Sequence, residues 1–338
     1  MIMTQYPIDI VVPWVDGFDP IWRKERDKYH PMPGSDNCEA RYRDWGLFRY
    51  WFRSIAQFAP WVHKIHLVTY GHVPKWLNLS HPKLHIVNHK DYIPEEYLPT
   101  FSSHVIELNM HRIPNLSEHF VYFNDDVYLN RPTTAGDFFI NGLPVDSAIL
   151  GMVSISDQVS FMPYIMLNML GIINQNFSKR QIVMKNLSKW FSAQYGKLIF
   201  HNLYFFPGRN FGGFRNFHTC IPYRRQTLNL IWNTFPEPLK NTCSHRFRSR
   251  TDINQYFFRY WQLLRGEFMP GRPNSTYLTI GEDDAAAISA ALSGRKKIIC
   301  INDDPADFDF ETEQKKLLAI FETKFPKACE FEKKDAVQ

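Results

Sequence analysis

Four short apolar runs separated by helical patterns occupy the first third of the chain, and this alternation constrains the fold more than any other feature. Residues 8–12 (IDIVV), 65–69 (IHLVT), 84–87 (LHIV) and 120–123 (FVYF) are rich in β-branched and aromatic side chains and too short for helices. Between the first two, over 45–58, Phe48, Trp51, Phe52 and Ile55 recur at helical spacing, and Pro60 follows the end. Ser102 or Ser103 is placed to cap a helix with Val105, Ile106, Met110 and Ile113 on its apolar side. Strand–helix–strand order predicts an α/β fold with a mainly parallel central sheet. Such sheets bind ligands beyond the carboxyl ends of their strands. Asp16 follows the first run and Asn124-Asp125-Asp126 the fourth, so acidic groups are expected at that edge.

The second half predicts helical additions. Residues 160–200 are basic and amphipathic, with Lys179, Arg180, Lys185, Lys189 and Lys197 beside Ile182, Val183, Leu187, Trp190 and Phe191. A solvated helix face is the ordinary reading of such a stretch, and a membrane or acceptor surface is the other. Residues 207–225 are rich in Gly, Arg and aromatic residues, and an aromatic helix is expected over 256–264. A helix over 285–292 ends at Gly294. A strand over 297–301 then leads into Asn302-Asp303-Asp304, repeating the earlier strand-then-acid order.

Composition removes several classes. The 338 residues are 44% hydrophobic and 22% charged, which fits a packed globular body and not a disordered chain. A net charge of +5 suits phosphate-bearing ligands or an anionic surface without demanding nucleic acid. The longest apolar stretch, residues 161–173, is broken by Pro163 and Asn168 and falls short of the about 20 residues a spanning helix needs. The N-terminus has neither a basic n-region nor a small-residue cleavage site, which predicts a cytoplasmic protein. Five scattered cysteines without a C-x-x-C read as reduced thiols.

Adjacent aspartates at a strand end can hold a hard cation through oxygen ligands. Turns favour Asp and Asn for reasons of their own, so one pair alone says little. Two such pairs, with Trp14-Val15-Asp16-Gly17 and a later His/Arg cluster, are harder to explain as turns. His218 lies in a Gly/Arg-rich loop, where a neutral imidazole can act as a base, although a plain surface histidine reads the same way. Arg246, Arg248 and Arg250 alternate, so an extended segment would place three guanidinium groups on one side, suited to phosphate oxygens.

These residues resemble the Stealth family, the bacterial hexose-1-phosphate transferases of capsule and exopolysaccharide synthesis and their animal N-acetylglucosamine-1-phosphotransferase relatives. The first block is similar to residues 8–17, IDIVVPWVDG. The second runs from Arg41-Tyr42-Arg43-Asp44 and Leu47-Phe48-Arg49-Tyr50 to Tyr122-Phe123-Asn124-Asp125-Asp126. The third surrounds His218 and Arg246-Phe247-Arg248, and the fourth Ile301-Asn302-Asp303-Asp304.

The resemblance implies a GT-A-like nucleotide-sugar transferase fold. Residues 1–140 would form the nucleotide-sugar-binding α/β part, 141–205 a helical insertion, and 206–338 the His/Arg part of the same catalytic domain. It implies transfer of a hexose-1-phosphate from a UDP-sugar to a glycan hydroxyl with release of UMP. A metal-dependent glycosyltransferase releasing UDP would share the early half; an inactive glycan- or nucleotide-binding protein would require the acidic pairs and His218 to be dispensable. His218, Arg248, Asp125 and Asp303 are the implied catalytic residues. Trp14, Asp16, Gly17, Arg41, Arg43, Arg49 and Asn124 would bind the donor, and Asp125, Asp126 and Asp304 would hold Mg2+ or Mn2+. Capsule synthesis at the inner membrane face implies peripheral membrane contact.

Overall fold

The four apolar runs form four parallel strands: β1 (Ile8–Pro13), β2 (Ile65–Thr69), β3 (Leu84–Asn88) and β4 (His119–Tyr122). This computed structural model describes residues 6–29, 42–155, 160–303 and 309–334. After β4 come β5 (Val127–Leu129), β6 (Phe139–Ile140) and β7 (Leu143–Asp146), and then β8 (Ile221–Arg224). Strand β8 returns to the central sheet antiparallel to β4, giving the order β3-β2-β1-β4-β8. Strands β9 (Met269–Pro270), β10 (Ser275–Ile280) and β11 (Ile298–Asp303) complete the set. Strands β10, β11 and β5 make a second small sheet, and β6, β7 and β9 a third.

Burial on both faces explains why the parallel strands read as unbroken apolar runs. Val11, Val68, Phe120 and Tyr122 point into one core, where the second-half helices supply Ile165, Leu228 and Phe257. Ile10, Val12, Leu67 and Val121 point into the other, against Trp51 and Phe52 of the helix Phe48–Phe58 and Phe321 of the helix Phe310–Lys324. The chain is thus α/β with a mainly parallel central sheet and helical additions in its second half.

Two helix boundaries differ from expectation for local reasons. The first helix of the 45–58 pattern starts at Phe48, because Gly46 sits at φ +73° and donates its N–H to Asp44 Oδ1 at 2.8 Å. That turn excludes helix before Leu47. The helix at Ser103–Leu108 is shorter than its apolar pattern and passes into a 3-10 turn at Met110–Arg112. At the break, Asn109 Nδ2 donates to the Val105 carbonyl at 2.9 Å, competing with the backbone for the helical acceptor.

Asp9, fully buried in β1, ties the far end of the sheet together. Its carboxylate meets His63 Nδ1 at 2.8 Å and His66 Nε2 at 3.1 Å, and accepts the Ser117 N–H at 2.8 Å. Burial alone would push this carboxyl up; the bonds from His66, Ser117 and His63 outweigh it and hold it below the usual range. A depressed carboxyl contributes stability that is present above its unfolded pKa of about 3.9 and is lost as pH falls through the folded value. Denaturant titrations from pH 7 to 2 should therefore show Asp9→Asn destabilised at neutral pH, with a flatter acid limb than the parent. Parallel acid limbs would show that Asp9 does not carry this dependence.

Candidate active site

Three separate connections bring the chemistry to one place. Strand β4 ends at Tyr122 and delivers Asn124-Asp125-Asp126 to the carboxyl edge of the sheet. Strand β5 leaves at once to pair with β11, and the Ile301 N–H donates to the Asp126 carbonyl at 2.9 Å. The second acidic strand end, Asn302 and Asp303, therefore lands beside the first. His218 precedes β8, whose Ile221 pairs with Tyr122, so the loop carrying it also faces Asn124. The resulting cleft has a volume of about 270 Å³, and Trp14, Arg43, Asp125, Asp126, Arg248 and Asp303 are among its walls.

Its acidic wall is crowded. Asp125 opens to the cleft, yet protein encloses it; this enclosure first, then the charges of Asp126 and Asp44, push its carboxyl up to about 7. Asp126 Oδ1 is buried without a hydrogen-bond partner among the described residues. Its Oδ2 accepts from the Cys300 thiol at 3.4 Å and lies 3.4 Å from His218 Nε2. Burial first, then the Asp126 charge, push the Cys300 thiol well up. Asp126, His218 and Cys300 each offer one donor atom, all within 4.8 Å of one another, a grouping that could hold a metal ion. Toward the cleft Asp125, Asp126 and Asp303 offer hard oxygen, which fits Mg2+ or Mn2+. A cation among these carboxylates would also relieve the repulsion that raises Asp125.

Beside it lies a polar relay. His218 Nε2 is 3.2 Å from Asn124 Nδ2, and Asn124 Oδ1 accepts the Tyr122 hydroxyl at 2.6 Å. The Tyr122 hydroxyl also lies 3.0 Å from Glu107 Oε1, with which it shares a hydrogen bond. Burial raises the Glu107 carboxyl despite the opposing charges of His104 and Arg248. Asn124 is thereby oriented with its NH2 toward the imidazole.

The three alternating arginines do not share a side. Residues 245–251 form bends and turns instead of an extended strand, because Asp252 folds the segment back on itself. Its fully buried carboxylate meets His104 Nδ1 at 2.8 Å and His245 Nδ1 at 2.7 Å, and accepts the Ser249 N–H at 2.9 Å. Arg246 donates to the Leu98 and Pro99 carbonyls and lies over Tyr29, while Arg250 lies over Phe161 and Tyr164. Arg248 reaches the cleft, where Nη2 donates to Ser103 Oγ at 2.9 Å.

Among the residues expected to bind the donor, Trp14, Arg43 and Asn124 line the cleft. Trp14 stacks parallel on Phe48 with ring centroids 5.5 Å apart. Arg43 pairs with Asp303 at 3.5 Å, and Trp45 Nε1 donates to the same carboxylate oxygen at 2.9 Å. Asp16 lies at the same sheet edge but outside the cleft wall, its Oδ1 accepting the Phe18 N–H at 2.9 Å. Gly17 has a packing role: a Cβ there would stand 1.8 Å from the Tyr42 carbonyl oxygen. Arg49 is not brought to the cleft; it lies over Trp76 and pairs with Glu332 at 3.5 Å. Arg41 and Asp304 fall outside the described residues.

Family models described as Stealth protein CR1, CR2 and CR3, conserved regions 1 to 3, match residues 6–33, 41–145 and 217–261. The capsular polysaccharide phosphotransferase WcwK of Streptococcus pneumoniae is 41% identical, covering 96% of this chain and 99% of its own. The chain belongs to the Stealth family. It is with that family a transferase enzyme. The exopolysaccharide phosphotransferase cps2G of Lactiplantibacillus plantarum is 39% identical over 97% of each chain. Among solved structures, the galactosyltransferase LgtC with donor and acceptor sugar analogs aligns over 92% of this chain and 95% of its own, at 9% identity and a TM-score of 0.39. Glu107, Tyr122, Cys300 and Asp252 carry no site role in the sequence reading of this Stealth chain; Glu107 and Tyr122 line the cleft, while Cys300 acts on it through Asp126 and Asp252 through the Arg248 loop. Asp252 carried no local signal: His245 lies seven positions earlier and His104 far upstream, and only the fold brings them to its carboxylate.

Proposed function

We propose that the chain is a cytoplasmic phosphotransferase, peripheral at the inner membrane face, that builds capsule or exopolysaccharide. It moves a hexose-1-phosphate, for example N-acetylhexosamine-1-phosphate, from a UDP-sugar to a glycan hydroxyl. The acceptor oxygen bonds to the sugar-bearing phosphorus, the bridge between the two phosphorus atoms breaks, and UMP leaves. The sugar C1–O bond is kept. The observation that carries this reading is the convergence, in one cleft, of the Asp125/Asp126 wall with Arg248 and His218.

Phosphoryl transfer needs in-line placement and neutralisation of charge spreading over phosphate oxygens, and little covalent help. Trp14, with Tyr42 and Phe101 further along the cleft, offers aromatic faces for the uracil, and Arg43 and Asn124 offer donors to the diphosphate. Asp125 and Asp126, with Asp304 beyond them in sequence, would hold a divalent cation, which when bound supplies positive charge to the diphosphate. Arg248 supplies the fixed positive charge on the other side. Asp303, steadied by Trp45 and Arg43, completes the acidic wall beside the acceptor.

His218 Nε2 has two neighbours that want opposite protonation states. Asn124 donates to a bare nitrogen, whereas Asp126 pairs with a protonated one. That pairing suits a nitrogen that gains a proton during the reaction, as one taking it from the acceptor hydroxyl would.

Mass spectrometry of products from a panel of UDP-sugars with short glycan acceptors tests the reaction. The expected result is UMP and an acceptor heavier by one sugar phosphate, suppressed by a chelator and restored by Mg2+ or Mn2+. UDP and an acceptor heavier by one sugar would instead establish the glycosyltransferase reading.

A further inference from the structure

Residues 158–236 contain no aspartate or glutamate, while the rest of the chain carries all 34. The same stretch has nine lysines and arginines. Several are used internally: Lys179 Nζ donates to the Phe205 carbonyl at 2.8 Å, and Lys189 Nζ to those of Gly266 and Phe268 at 2.6 and 2.8 Å. Arg180, Lys185, Lys197 and Arg209 are exposed and make no ion pair among the described residues.

Within that stretch the helix Ile199–Phe205 packs Phe205 against the core and turns further apolar side chains to the surface. Its buried side chain is polar: Asn202 accepts the Leu150 N–H at 2.6 Å and donates to the Ala148 carbonyl at 2.7 Å. Its outward face is apolar, with Phe200 65%, Leu203 54% and Tyr204 78% exposed at i, i+3 and i+4. An ordinary surface helix keeps its outer face polar. Met184 and Leu187 are exposed on the preceding segment, which joins this helix through Lys179 and through the Asn202 bond to the Trp190 carbonyl. No helix among the described residues is long and apolar enough to cross a membrane.

We infer that this face docks on an anionic lipid bilayer, Phe200, Leu203 and Tyr204 entering the acyl boundary and the four exposed cations meeting lipid phosphates. Charge and shape select this occupant. A second copy of the chain would bring the same positive face, and an anionic glycan has no use for aliphatic side chains such as Leu203 and Met184. Apolar insertion and electrostatic attraction together are what interfacial segments use. Only the side of the membrane rests on the proposed reaction; the docking itself does not.

Flotation with phosphatidylglycerol-containing vesicles, against pure phosphatidylcholine, at about 0.15 M salt, where exposed charges are screened beyond about 8 Å, tests the inference. The full chain should float with the anionic vesicles at least tenfold more than with the neutral ones. The triple variant F200S/L203S/Y204S and the charge variant R180E/K185E/K197E should each lose at least tenfold of that binding while keeping the parent far-UV circular dichroism. Parent chain that stays at the bottom, or either variant floating like the parent, overturns the proposal. Retention by a soluble anionic polysaccharide but not by vesicles overturns it in favour of a glycan-binding face. Flotation is read without substrate, so failure of the proposed phosphotransfer leaves it standing, and its failure leaves the phosphotransfer standing.

Discussion

Arg248→Ala should lower kcat by about 10³–10⁵, the range seen when an arginine that neutralises a transferring phosphoryl group is lost. Arg248→Lys should recover only part of this. A lysine ammonium is a point charge, whereas the guanidinium presents a planar fork to two phosphate oxygens at once. The bond from Nη2 to Ser103 Oγ at 2.9 Å fixes the plane of that fork, and the Asp252 clamp fixes the loop that carries it. The group is therefore set before substrate arrives, which favours charge that develops late over charge already present in the bound donor. Steady-state kinetics and calorimetric binding of UMP separate the two effects. The expected pattern is a large fall in kcat with UMP affinity within about threefold of the parent. A raised KM with unchanged kcat would mean that Arg248 only holds the ground state.

Much of this site was legible because its main parts end strands. Runs buried on both faces read plainly as parallel strands, and the acids after β1 and β4 were then placed at one sheet edge by topology alone. Strand β8 was not legible, because Pro222 and Arg224 look unlike a strand interior. As the outermost strand of the sheet it tolerates the proline's missing N–H. That omission hid why His218 approaches Asn124. Arg49 misled for the opposite reason: grouped with Arg41 and Arg43 in sequence, it lies inside the helix Phe48–Phe58, on one face with Arg53 at i+4. Both arginines turn to Glu332 near the C-terminus and away from the cleft. The arginine triplet misled because alternation predicts a shared side only for an extended chain, and three hydrogen bonds to one buried carboxylate decided otherwise.

His218→Ala should slow turnover by about 10²–10⁴, the usual worth of a positioned base, while UMP affinity changes little. The side chain is about a third exposed, with Nε2 inside the cleft between Asn124 at 3.2 Å and Asp126 at 3.4 Å. The Asn124 amide steadies the nitrogen before proton transfer, and the Asp126 carboxylate steadies the imidazolium after it, so the residue is stabilised at both ends of the step. His218→Gln separates that role from simple positioning. Its amide can keep a hydrogen bond with Asn124 or Asp126 but cannot take up a proton at neutral pH. If His218 is the base, the glutamine variant should be nearly as slow as the alanine variant, and free imidazole should restore part of the rate to His218→Ala alone. If it only positions the acceptor, glutamine should recover most of kcat and imidazole should do nothing. The base would then be sought among the cleft carboxylates, with Asp303 first, because its fixed partners Trp45 and Arg43 hold it at the cleft without committing it to the cation.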